Sequence, residues 1–368
     1  MQKAKSEPKK AISLTMNSKT FFQGTKVVEL ASVLAGPAVG MFFAELGADV
    51  IKIENKTTDG DVTRSWRVPE EDPTTAYSAY YCSVNWGKTV QQLDLRQAAD
   101  QAVVHALIQD ADIVISNFKP DSARQLRMDY AFLQTLNARL IYGQITGFGD
   151  TDDTVAFDVV LQAAAGFLYM NGEPGRQPVK MPVALIDLLA AHQLKAAMLV
   201  ALLHRERTGE GSYVSVSLFE SAVASLANQA SNWLMAGHIP QPMGTQHPNI
   251  APYGDILYTV DDKPVVLAAG TERQFQQLCT VLQIEPEELF RTNADRVKNR
   301  AALLAHLQPA AQRYTRDDLL AALHQAGVPA AAICTMPEVF EHPLAKNCIL
   351  EWPLPDGRTA RCVKTVVF

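Results

Sequence analysis

The chain has 368 residues, of which 48% are hydrophobic and 20% charged, with a formal net charge of -6. That length predicts two or three domains of roughly 150 residues each, and that composition buries a sizeable core, which excludes disorder for the bulk of the chain. The acidic balance argues against a nucleic-acid partner, which needs a basic face.

The opening stretch MQKAKSEPKK is basic and has no apolar segment behind it. Residues 1–24 therefore read as a disordered leader rather than a secretory signal. Ordered chain is expected from Thr25 onward. Residues 27–30 form a short buried strand, and Ala35-Gly36-Pro37 then places a proline for the first turn of a helix. The helix stops at Gly47, and residues 48–54 form a second strand. This β-α-β unit predicts a parallel sheet covered by helices. A helix over 97–109 leads to a strand over 112–116, and a helix near 129–136 to a strand over 140–145. A short helix is expected from Asp158 to Gly166, and a long one after Asp187. The long helix ends in an Arg-rich turn capped by Gly209. Tyr213 to Leu218 alternates as a half-buried strand. After Gly237 the texture turns Pro- and Gly-rich, like a crossing linker. Strands over 256–260 and 264–268 follow as a hairpin, then helices near 272–283, 299–312 and 316–326. The last segment, from about Thr335, reads as strand and loop.

The longest unbroken apolar run, 196–203, is eight residues, short of the roughly 20 that span a bilayer. No membrane association is expected from it. Five scattered cysteines (Cys82, Cys279, Cys334, Cys348, Cys362) form no CxxC pair, so they read as reduced thiols of a cytoplasmic protein. The eight histidines show no metal-ligand spacing, and no metal is expected. Phosphate-loop, GxGxxG, GxSxG and HExxH signatures are absent from the sequence.

Two loops invite a ligand. Ala35-Gly36-Pro37 puts small residues before a helix N-terminus at a strand's carboxyl end, where backbone approaches a ligand closely and free N–H groups favour anions. Asn117-Phe118-Lys119-Pro120 follows a buried strand. There Asn117 and Phe118 could bracket a planar base and Lys119 could meet a phosphate. Arg64 and Arg67 read as solvated surface, with a substrate carboxylate as the alternative partner.

The segments VVELASVLAGPAVGMFFAELGADVIKIE, GDVTR, NWGKTVQQLDLR, ADIVISNFKP, LIYGQITGFG, LLHRERTGEGSYVSVSLFES, HPNIAPYG and AGVPAAAI resemble, in order, the class III (CaiB/BaiF-type) acyl-CoA transferases. The resemblance runs from about 25 to 368. It implies an α/β fold with a Rossmann-like large domain built from both chain ends (25–236 and a return over 335–368). A linker and smaller α+β domain over 237–334 lie between. It also implies a homodimer of interlocked rings, with coenzyme A bound on the large domain. Carried over by position, the contact candidates are Val33, Ala35, Lys88, Asn117, Phe118 and Lys119. The chain departs from the family pattern at Trp86, at Asn55 and at Gln125, where the family often has arginine and Arg124 stands alongside.

The resemblance further implies transfer of CoA between an acyl-CoA and a small carboxylic acid through an aspartate nucleophile. The family motif puts that aspartate at Gly175 of Gly172-Glu173-Pro174-Gly175, and glycine has no carboxylate. Glu173 is the nearest replacement. Asp187 matches an aspartate of the family's racemase branch, whose histidine partner is here Phe157. One alternative is therefore an acyl-CoA isomerase using Asp187, and another a catalytically silent CoA-thioester binder. Read structurally, Asp187 and Asp158 are N-caps of the helices they precede.

Overall fold

A computed structural model describes residues 20–368. The leader expected over 1–24 thus lies outside the described residues as far as residue 19. Beyond it, Phe22 packs edge-on against Phe43 at 5.1 Å.

In chain order the first half runs β1 (Lys26–Leu30), α1 (Ala35–Glu45), β2 (Asp49–Asn55), α2 (Ala79–Cys82), β3 (Thr89–Leu93) and α3 (Ala98–Gln109). It continues through β4 (Ile113–Ser116), α4 (Pro120–Gln125), α5 (Tyr130–Leu136), β5 (Ile141–Thr146), α6 (Asp158–Ala164) and α7 (Phe167–Met170). Next come α8 (Leu185–Thr208), β6 (Ser212–Ser217), α9 (Leu218–Ala224) and α10 (Ala227–Ala236). The remainder comprises β7 (Tyr253–Tyr258), β8 (Pro264–Ala268), α11 (Glu272–Leu282), α12 (Asn293–Lys298), α13 (Arg300–Ala311), α14 (Arg316–Gln325) and β9 (Ala330–Ala332). The chain ends with α15 (Met336–Glu341), α16 (Pro343–Lys346), β10 (Ile349–Pro353) and β11 (Thr359–Val363).

By internal contacts the chain forms two compact units. The first takes the chain up to Leu161, Val183–Ser225 and Cys348–Phe368; the second takes Gln162–Pro182 and Leu226–Asn347.

The first unit is built on a six-stranded sheet of order β3-β2-β1-β4-β5-β6, with every neighbouring pair parallel. This is the doubly wound arrangement, in which the order reverses between β1 and β4 and ligands bind outside the carboxyl ends at that point. One face of the sheet packs Val28, Val114, Leu140 and Tyr142 against Val104, Ile108 and Leu133 of α3 and α5. α1 and α8 pack together, and α1 lies so close to β1 that a Cβ on Gly36 would stand 2.4 Å from that of Ala31. The β10–β11 hairpin is antiparallel. After it, the Glu45 carboxylate accepts Thr365 N–H, Thr365 Oγ1–H and Val366 N–H at 2.7, 2.9 and 3.0 Å.

α8 corrects one sequence expectation. It has 24 residues with a mean hydropathy of 1.6 in its most apolar window, so by length and composition it could cross a bilayer. Counting unbroken runs hides this, because Lys195 and His204 interrupt the run. The helix serves as a layer of the α/β unit, with Ile186, Ala190, Leu194 and Met198 buried. Its buried cations have partners: Lys195 lies over the Phe42 ring at 5.3 Å, and Arg205 pairs with Asp112 at 3.1 Å while its Nε makes no hydrogen bond.

The second unit carries a three-stranded antiparallel sheet, β7-β8-β9. Its core joins Leu257, Val265 and Leu267 to Phe275, Leu303 and Leu319. The segment leading into β7 is tied down by buried arginines. Arg296 donates to Ala251 O at 2.8 Å and Arg300 to His247 O at 2.6 Å.

Candidate active site

The two ligand-inviting loops meet at the point where strand order reverses. The β1–α1 turn follows Leu30, and the Asn117–Lys119 loop follows β4, its neighbour in the sheet. Asn117 joins them: its Oδ1 accepts Ser32 N–H at 3.1 Å and its Nδ2 donates to Ser32 O at 2.9 Å. This side chain is therefore engaged with backbone, a different use from the base-bracketing expected of it. α1 begins at Ala35 with no side-chain cap, which leaves the first-turn N–H groups of Ala35 and Gly36 pointing out of the helix start.

A cleft of about 170 Å³ opens there, lined by Val33, Ala35, Asn117, Phe118 and Lys119, with Phe157, Asp152 and Asp187. A second cleft, of about 480 Å³, shares Ser32 and Phe118 with the first. Its walls mix apolar side chains (Leu93, Leu95, Leu126) with Asp94, Arg96, Ser122 and Gln125. Five of the contact candidates thus come together. Lys119 also donates its Nζ to Asp153 O at 2.7 Å.

Lys88 does not join them. Its side chain is fully buried and its Nζ reaches Glu29 Oε2 at 2.7 Å, Pro37 O at 2.9 Å and Asn85 Oδ1 at 2.9 Å, so its three donors are spent inside the unit. Arg124 does not join them either. It pairs with Asp121 on the exposed side of α4, while its neighbours Ser122 and Gln125 line the larger cleft. Arg64 and Arg67 are internal staples rather than surface or substrate groups. Arg64 holds Glu54 through two bonds, at 2.8 and 3.0 Å, and stacks on Tyr81. Arg67 bonds Thr75 Oγ1 at 2.9 Å and Arg64 O at 3.0 Å.

Asp187 is buried, at the third residue of α8 rather than its N-cap, which is Ala184. The capping is done by Asp158, reaching over from the start of α6. Its Oδ1 accepts Ile186 N–H at 2.7 Å and Asp187 N–H at 3.4 Å. So both aspartates depart from the capping expected of them: Asp158 caps another helix, and Asp187 is held by that cap. Burial and then the charge of Asp158 push the Asp187 carboxyl up to about 7. A carboxylate that faces a cleft with such a shift has the marks of a chemical group.

Gly175 and Glu173 lie in the second unit. Gly175 has φ +69 and open space around it, a turn geometry that suits glycine. Glu173 is exposed on the same turn. Its carboxylate stands beside Gly244, where an added Cβ would lie 2.9 Å from Oε1. The two turns are joined by Gly244 N–H donating to Gly172 O at 2.8 Å. Among the described residues no cluster of three His, Cys, Asp or Glu side chains is arranged to hold a metal.

Sequence reasoning missed Asp94, Arg96 and the capping of α8 by Asp158. Asp94 and Arg96 follow β3, whose half-polar sequence gave no strand signal to place them at a sheet edge. The contact between Asp158 and α8 joins residues 28 positions apart and has no local signal.

A profile of CoA-transferase family III matches residues 22–368. The chain is 37% identical over 363 residues to a succinate–glutarate CoA-transferase of Agrobacterium fabrum, covering 96% of this chain and 90% of that one. It is 30% identical to the succinyl-CoA:glutarate CoA-transferase of Homo sapiens, covering 92% and 78%. A crystal structure of a CaiB/BaiF family protein from Brucella suis superposes with a TM-score of 0.81 at 39% identity, covering 95% of this chain and 92% of that one.

Proposed function

The chain belongs to CoA-transferase family III, and from that premise we propose that it moves CoA from an acyl-CoA to a small carboxylic acid with Asp187 as the nucleophile. The observation that carries this reading is the placement of Asp187, the buried carboxylate in the cleft that also gathers Val33, Ala35, Phe118 and Lys119. The acceptor belongs to the dicarboxylate class, as the names of the relatives that act on succinate, glutarate and oxalate suggest.

Coenzyme A lies with its nucleotide end in the larger cleft, where Phe118 and leucines meet a planar base and Arg96, paired with Asp94 at 2.9 Å and exposed beyond that pair, meets phosphate. The thiol arm passes Ser32 into the smaller cleft. There the Asp187 carboxylate attacks the thioester carbonyl, expelling CoA thiolate and forming an acyl–aspartyl anhydride. The thiolate attacks the aspartyl carbonyl, which releases the donor acid and leaves an aspartyl–CoA thioester. The incoming carboxylate attacks that thioester, forming a second anhydride and freeing the thiolate. The thiolate then takes the new acyl group and restores the Asp187 carboxylate. Each tetrahedral stage develops an oxyanion, and the uncapped N–H groups at the start of α1, whose Ala35 lines the same cleft, are preorganised donors for it. The working unit is a homodimer.

Two other readings lose their motive. Silence was inferred from the glycine at 175, and Asp187 supplies the missing carboxylate. Two-sided proton transfer of the racemase branch uses a histidine where this chain has Phe157, which carries no transferable proton.

The test is the mass of the intact protein after incubation with succinyl-CoA and other short acyl-CoAs, followed by hydroxylamine or borohydride trapping and peptide mapping. A CoA adduct on the Asp187 peptide is expected. An adduct on Glu173, or none in a sample that binds coenzyme A, would overturn the assignment.

A further inference from the structure

The turn from β1 to α1 is gripped by side chains from three other places in the first unit. Val33 has φ +71, a left-handed conformation that a β-branched residue rarely adopts. Its N–H is donated to Asp61 Oδ2 at 3.2 Å. Asp61 is oriented by Thr63, whose N–H and Oγ1–H reach its Oδ1 at 3.1 and 2.8 Å, and by the Lys52 ammonium at 3.1 Å. Lys52 also donates to Ala31 O at 2.7 Å and to Glu29 Oε1 at 2.8 Å. Asn117 holds both main-chain groups of Ser32. Four successive groups, Ala31 C=O, Ser32 N–H, Ser32 C=O and Val33 N–H, therefore end on side chains rather than on water.

Stability alone does not account for this arrangement. The Lys52 and Asp61 side chains are fully buried, and a buried ion pair contributes little net stability over an apolar substitute. Such a pair does impose a single geometry on whatever it holds. Here it holds Val33, two residues before Ala35, the uncapped first residue of α1.

We propose that Lys52, Asp61 and Asn117 form a clamp that keeps Val33 left-handed, so aiming the first turn of α1 at the acyl-CoA cleft, and that Asp61 is a positioning residue for transfer. The proposal rests on the reading that this cleft takes acyl-CoA.

The decisive comparison is Asp61→Asn, Val33→Gly and the double variant. Glycine takes positive φ about as readily as negative, so a glycine at 33 adopts the turn without being forced into it. Two readouts are needed: the dissociation constant of coenzyme A by calorimetry, and the rate of adduct formation from succinyl-CoA. Asp61→Asn should weaken or slow these by on the order of 10- to 100-fold, the range for a sub-ångström to ångström misplacement. The double variant should lose no more than Val33→Gly alone. Losses that multiply in the double variant, or an Asp61→Asn protein with unchanged binding and rate, would overturn the clamp. If Asp61→Asn does not fold, Asn117→Ala tests the open half of the clamp. It should show the same class of loss, and a lowered melting temperature with unchanged binding and rate would count against the proposal. A wild-type protein that binds coenzyme A yet forms no adduct removes the transfer reading. The binding constants alone then decide the clamp by the same pattern.

Discussion

Asp187 must be ionised to attack a carbonyl, and both its burial and the Asp158 charge oppose ionisation. With the carboxyl near 7, transfer should climb as pH rises through about 7 and level off above it, an acidic limb visible in the pH profile of kcat/KM. Asp187→Asn keeps the volume and removes the proposed nucleophile. Its transfer rate should fall by on the order of 10⁴-fold or more, while calorimetry finds coenzyme A binding nearly unchanged. The same group makes a stability prediction. Its folded pKa lies above the unfolded value of 3.8, so between those values the folded state binds the proton more tightly. Stability contributed by the protonated form is present at low pH and is lost as pH rises toward 7. Asp187→Asn should therefore melt higher than wild type at pH 8 by a few degrees or more, with the gap narrowing toward pH 5. An equal gap at both pH values would sink the argument. The cleft was legible in the sequence at residue level, because small residues before a helix and an Asn-Phe-Lys-Pro loop after a strand mark a carboxyl-edge site. Asp187 was legible as a catalytic candidate by resemblance, but its burial was not. Burial of the third residue of α8 depends on α6 reaching across with Asp158, and Lys88 reads as a free cation until its three partners are seen.

At the scale of elements, the contact between α1 and β1 carries the site. Gly40 faces the Glu29 carboxylate so closely that an added Cβ would stand 1.8 Å from Oε2. That carboxylate cannot swing away freely, since Lys52 holds it at 2.8 Å and Lys88 at 2.7 Å. Gly40→Ala should therefore cost about 1–3 kcal/mol, the usual range for overpacking, or more if an ion pair breaks. The urea midpoint should drop with an unchanged slope, and an unshifted midpoint would show that the helix can slide. Five of the six parallel strands were legible, because buried strands such as IVIS and IYGQIT read as short apolar runs between helical stretches. β3 was not. Its sequence, TVQQL, belongs to an edge strand that is only partly buried, so half of its pattern is polar. α8 was legible as a helix, and its starting point was misjudged by three residues because Asp187 resembles a cap.

For the whole molecule, two helices leave large apolar side chains uncovered. On α8, Leu199, Val200 and Leu203 are exposed, Val200 at 69%. On α10 of the second unit, Leu234 and Met235 are exposed at 79% and 87%, beside Trp233. Scattered apolar residues are normal on a surface, but clusters on one helix face mark an interaction site. A helix of mean hydropathy 1.6 offers two occupants for its outer face, a bilayer or a second protein. The inner face argues for protein. Lys195 and Arg205 are buried on it, so the helix cannot leave the sheet without exposing two cations to lipid. A second copy of this chain is the simplest cover, and permanent dimers commonly bury 2,000–5,000 Å² in total. Sedimentation at micromolar concentration should therefore give twice the chain mass. Val200→Asp with Leu203→Asp should shift the protein toward monomer and aggregate, and should lower transfer activity in step with the lost dimer. A wild-type protein that sediments as a monomer, or that moves onto neutral phosphatidylcholine vesicles, would assign the apolar face of α8 to a different occupant.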